Sequence, residues 1–125
     1  NTPENAGKLQ QIAGQLSGNI RFLPSDKRKS LHLAAVFACN FTNHIYALAV
    51  KILQGQEIPA DVLLPLIDET AAKIHSMSPS AAQTGPAIRY DENVINKHLA
   101  MLDDPDMKAI YQLLSRSIHK EAQNE

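Results

Sequence analysis

A single cysteine, five glycines, no tryptophan and no surplus of either charge set the first limits on this chain. One cysteine cannot build an internal disulfide framework, so the composition suits a reducing compartment, and a cytoplasmic location is expected. With 12 basic against 13 acidic side chains and a net charge of -1, no segregated basic block exists to neutralise a phosphate backbone. Nucleic acid is therefore not an expected partner. The chain also lacks G-x-G-x-x-G, the Walker A pattern, H-E-x-x-H, G-x-S-x-G and C-x-x-C. That excludes a dinucleotide loop, a P-loop and a structural zinc site of the usual kinds, and no metal is expected. The first residue is Asn1, not Met, and no signal-type apolar region follows it. A fragment of a longer chain, or a processed product, is expected.

What is present is one domain's worth of chain: 125 residues, 44% of them hydrophobic, enough to bury a core. From Pro3 to Leu16 the apolar residues Ala6, Leu9, Ile12, Ala13 and Leu16 fall at helical spacing, and Ile20–Leu23 reads as one short strand. A lone strand has nothing here to pair with. Residues 1–24 accordingly read as the trailing helix and strand of a Rossmann-like domain, and 25–125 as a separate helical domain.

Ser25-Asp26 can cap a run without Gly or Pro that extends from about Lys27 to Gln54 and stops at Gly55. Between Leu31 and Val50 it carries no formal charge, which raises a membrane span, but His32, Asn40, Thr42, Asn43 and His44 would need partners in hydrocarbon. A buried central helix of a soluble protein is the better reading, with no membrane. Pro59 starts a further helix to about Ser76, residues 77–88 read as irregular, Asp91 caps a helix through Leu102, and Asp104-Pro105 starts the last one. The expected fold is all-α, a helical bundle around the helix at about 27–54.

Two constellations carry polar groups into apolar settings. On an α-helical wheel His32, Asn43, Asn40 and His44 fall at roughly 0°, 20°, 80° and 120°, one sector of the long helix. They either satisfy one another and the nearby backbone or line a cleft, where His moves a proton and Asn holds a carbonyl or amide. The second is Gln83-Thr84-Gly85-Pro86-Ala87-Ile88-Arg89-Tyr90-Asp91, followed by His98. Gly85 permits a positive φ, and Arg89 offers a planar fork for a carboxylate or phosphate. Asp91 either caps the next helix and pairs with Arg89 or joins an anion clamp at the helix N-terminus. Cys39, with no basic neighbour in sequence, reads as a buried small hydrophobe, Lys27-Arg28-Lys29 as a solvated surface, and His75 and His119 as helix C-terminal cations.

The runs Leu31-His32-Leu33-Ala34-Ala35-Val36-Phe37-Ala38-Cys39-Asn40 and Gln83 to Asp91, with His98-Leu99, resemble a specific family. It is the helical C-terminal domain that follows a Rossmann-like domain in predicted bacterial NAD(P)-dependent oxidoreductases. Those proteins are similar to pyrroline-5-carboxylate reductase, ketopantoate reductase and the 6-phosphogluconate dehydrogenase C-terminal-domain superfamily. The resemblance implies a two-domain reductase whose other half binds NAD(P), while the helical half closes the substrate cleft and dimerises. It also implies a polar pair on the long helix facing the nicotinamide, here His32 and Asn40 as catalytic candidates in place of the usual Lys and Asn. His44, Thr84, Arg89, Asp91 and His98 are the substrate-binding candidates. The family motif usually has Gly between Arg and Asp, where this chain has Tyr90.

A homodimer acting on a small-molecule substrate is expected, with no cofactor held by this chain alone and no activity in isolation. The alternative is a purely structural dimerisation module without catalytic residues.

Overall fold

In a computed structural model that describes residues 23–124, Pro24, with its fixed φ, immediately precedes the first helix among the described residues. The helix expected from Pro3 to Leu16 and the strand at Ile20–Leu23 fall outside them, apart from Leu23. The described residues are all-α, with no strand. The chain divides into two compact units, Asn1–Ala49 and Val50–Glu125.

The first unit is described from Leu23, and its element is the N-terminal part of an unbroken helix, Ser25–Gly55. It comprises α1 (Ser25–Ala35), a π-helical turn (Val36–Phe41) and α2 (Thr42–Gly55). Its length agrees with the sequence reading, but two details do not. Ser25 is helical and no side chain caps the start, because Pro24 already occupies the cap position and its carbonyl accepts the Arg28 N–H at 3.0 Å. More consequentially, no residue from Ser25 to Gly55 is buried. Leu33, Phe37 and Phe41 are 60%, 62% and 53% exposed, and Cys39 is exposed as well, not buried as expected. A helix with large apolar side chains repeated along one side needs a second surface to cover them, and the described part of this unit supplies none.

The second unit begins with the last turn of α2. Glu57 takes the left-handed conformation, φ 56°, and the Ile58 N–H reaches back to the Leu53 carbonyl at 3.0 Å. The helix expected from Pro59 to Ser76 is split: a 3-10 turn (Ala60–Leu63) precedes α3 (Leu64–Lys73). Pro65 has no N–H to return to the turn before it, so the α pattern restarts there. Residues 77–88, expected to be irregular, contain a short helix, α4 (Pro79–Ala82), whose cap Ser78 accepts the Ala81 N–H at 3.2 Å.

Asp91 and Asp104 cap α5 (Glu92–Ala100) and α6 (Pro105–Gln123) as the sequence implies, accepting the Val94 and Asp106 N–H groups at 3.4 and 2.9 Å. The most buried residues are Ala87, Ile95 and Ser115, one each from the loop, α5 and α6.

Candidate functional site

On the long helix the polar candidates are arranged by the π turn. Such a turn holds one residue more than an α turn, so every later residue is set back by about 100° on the wheel. His32, Asn40 and His44 then lie within about 40° of one another, and Asn43 is turned about 80° away. The one sector of four becomes a line of three. At about 1.5 Å per residue, His32 and Asn40 are some 12 Å apart along the axis, whereas Asn40 and His44 are one turn apart. All three are exposed, with Asn40 inside the π turn. Thr42 donates its hydroxyl to the Phe37 carbonyl at 3.2 Å, five residues back.

In the second unit, Gly85 adopts φ +106°, the conformation that recommended it in the sequence. Tyr90 also sits at positive φ, 51°. This accounts for the glycine usual there in the resembling family: the left-handed region costs a non-glycine residue roughly 1 kcal/mol. The turn is closed by the Tyr90 N–H on the Ala87 carbonyl (3.1 Å) and the Asp91 N–H on the Pro86 carbonyl (2.9 Å). Thr84 and Arg89 are exposed, and the Asp91 carboxylate is engaged as the α5 cap. No Arg89–Asp91 ion pair forms among the described residues.

Two histidines act as ties between elements. His98 on α5 shares a hydrogen bond of 2.8 Å between Nδ1 and the Tyr111 hydroxyl on α6, with the rings edge to face at 5.8 Å. His119 on α6 donates Nδ1–H to the Ile88 carbonyl at 3.0 Å, and Tyr90 packs against its ring at 5.4 Å. The helix C-terminus, which was the sequence account of His119, is therefore not its main partner. Tyr111, a member of the apolar stripe of α6, is a contact residue that local patterning does not single out. The available signal was its hydroxyl, the only polar atom in the stripe Met107, Ile110, Tyr111, Leu114 and Ile118, which had to find a partner once half-buried.

Burial pushes the Tyr111 phenol above its ordinary value of 10.0. A group whose folded pKa is raised contributes stability that is fully present below the unfolded value and is lost as pH rises through the folded one. Phenolate absorbance of the wild type minus that of Tyr111→Phe should therefore show one tyrosine ionising late, with unfolding midpoints falling in the same alkaline window. Ionisation of Tyr111 at the ordinary tyrosine pH would contradict this placement.

A half-open cavity of about 330 Å³ lies in the second unit, lined by Ser80, Gln83, Ile88, Ser117, Ile118 and Glu121 among others. None of Thr84, Arg89, Asp91 and His98 lines it. Among the described residues, no cluster of three or more His, Cys, Asp or Glu side chains could hold a metal ion.

Compared with known proteins, residues 2–118 match the profile of a domain of unknown function, DUF2520. The chain belongs to the DUF2520 family. No curated protein matches it. Among solved structures, this DUF2520 chain is similar to a crystal structure from Bacteroides fragilis of a protein inferred to be an NADP oxidoreductase, with 67% identity and a TM-score of 0.77. The match covers 78% of the DUF2520 chain and 38% of that protein, so the chain corresponds to well under half of its relative's length.

Proposed function

We propose that this chain is the dimerising, substrate-side helical module of an NADP-dependent oxidoreductase. The observation that carries the reading is the long helix, where an exposed apolar row runs beside the line His32, Asn40 and His44. The likeness to the Bacteroides fragilis protein supports the reaction class. A second copy of the chain is the proposed cover for the apolar row, in a cytoplasmic homodimer. By length and composition the helix could cross a membrane. Three hydrogen-bonding side chains in one line along it favour a protein seam with a wet edge.

In its reduced form, NADPH, the cofactor would supply a hydride in an enzyme of this class and be left as NADP+. The residues described here do not fit its phosphates: the motif glycines are absent, and the N-terminus of α5, the natural anion site after Gly85, already holds the Asp91 carboxylate. The cofactor is therefore assigned to the part of the full-length protein that this chain does not span.

On this side, His32 is the proposed proton donor to a small carbonyl or imine substrate. Asn40 and His44, one turn apart, orient its polar group by hydrogen bonds. Within the second unit, taken by itself, Arg89, free of Asp91, is the proposed holder of an anionic group, with Thr84 in the same loop.

A second reading draws on particular contacts. Asp91 serves as a cap and His98 is held by Tyr111, which suits a structural module. Titration with NADPH separates the cofactor assignment from its opposite: the intact protein should bind and this chain alone should not. Dinucleotide-level affinity in the isolated chain would overturn the division of labour.

A further inference from the structure

Helices that keep every backbone hydrogen bond in the α pattern are cheaper than those with a π turn, and such turns persist mostly where they serve a purpose. The apolar residues Leu33, Phe37, Phe41 and Ile45 are spaced by four. In an unbroken α-helix each step of four drifts by about 40°, so these four would wind through about 120° and could not lie along one straight seam. The π turn at Val36–Phe41 falls in the middle of the row. Its extra residue sets Phe41 and Ile45 back by about 100°, and the row narrows to about 60°. Phe37 and Phe41, both within the turn, meet edge to face at 5.1 Å.

The same shift straightens the polar line, so two stripes of different chemistry run side by side. Thr42 closes the turn: its hydroxyl satisfies the Phe37 carbonyl from five residues away, a spacing that belongs to the π pattern.

We infer that the π turn is a register corrector, fastened by Thr42, that aligns the apolar seam and the polar line of the long helix. Thr42 is a positioning residue, and the inference rests on the proposal that the seam takes a second copy of the chain. Deleting Ala38, an exposed residue inside the turn, removes the extra residue and leaves a plain α-helix with both stripes still in phase. Inserting a second alanine beside Ala38 throws them out of phase by about 100°.

The test is made in the intact protein by sedimentation and NMR. The deletion should stay dimeric and the insertion should dissociate. Thr42→Val should weaken association about tenfold, Thr42→Ser should restore it, and Thr42→Val should have no effect in the deletion background, where no turn remains to fasten. A deletion that dissociates like the insertion, or an insertion as dimeric as the wild type, overturns the inference. A monomeric wild type sinks the dimer reading instead. Register is then decided by nuclear Overhauser contacts: Phe37 Hα to Thr42 HN should be present in the wild type, where the two are five apart, and should persist on deletion, where they become four apart in a plain α-helix, with Phe37–Phe41 side-chain contacts kept in both. Absence of the first from the wild type, or loss of the second on deletion, overturns it.

Discussion

Phe37→Asp should turn the intact dimer into a monomer. Phe37 is 62% exposed in the single chain and sits at the middle of the apolar row, so in a two-fold assembly both copies of the ring would be covered. Burying a phenylalanine is worth about 2 kcal/mol, and the substitution removes two of them. It also leaves two carboxylates in an apolar seam, which adds a penalty of the same sign. At about 1.4 kcal/mol per factor of ten, the dissociation constant should rise by at least about a thousandfold. Asn43→Asp is the matched control, because the π turn sends that position to the side opposite the row. It adds the same charge and should leave the dimer intact. Sedimentation of both variants reads the difference, and a Phe37→Asp protein as dimeric as the wild type would remove the seam from this face.

His32→Ala should abolish turnover in the full-length protein while cofactor affinity stays nearly constant. Loss of a positioned general acid costs about 10²- to 10⁴-fold, and the loss should fall on kcat. Because His32 and Asn40 are some 12 Å apart along the helix, the two cannot serve one reacting atom together. Asn40→Ala and His44→Ala should raise KM in parallel. NADPH oxidation measured over a panel of small carbonyl and imine substrates gives both parameters. If His44→Ala takes the turnover and His32→Ala spares it, the donor is His44 and the present assignment falls.

Sequence patterns revealed those parts of the fold that depend on local chemistry. Asp91 and Asp104 announce their helices because a carboxylate at the cap satisfies free N–H groups, and Gly85 announces its turn because few other residues tolerate that φ. The long helix is legible from the absence of Gly and Pro between Lys27 and Gln54. The π turn is not, since no residue in Val36–Phe41 forbids the α pattern, and the wheel drawn without it misplaced Asn43. Nor could burial be read from hydropathy, which reports that Leu33 and Phe41 need covering but not whether their own chain covers them. The partners of Tyr111 and His119 are illegible for a related reason: their ties to His98 and to the Ile88 carbonyl join residues 13 and 31 apart, beyond the reach of local patterns.

The central claim is that a second copy of this chain covers the apolar row. Placing a photo-crosslinking phenylalanine analogue at position 41 of the intact protein tests it most directly. The account predicts a product of twice the chain mass, with the link falling within residues 25–55 of a second copy. A link to another segment of the same chain, with no doubling of mass, would contradict it.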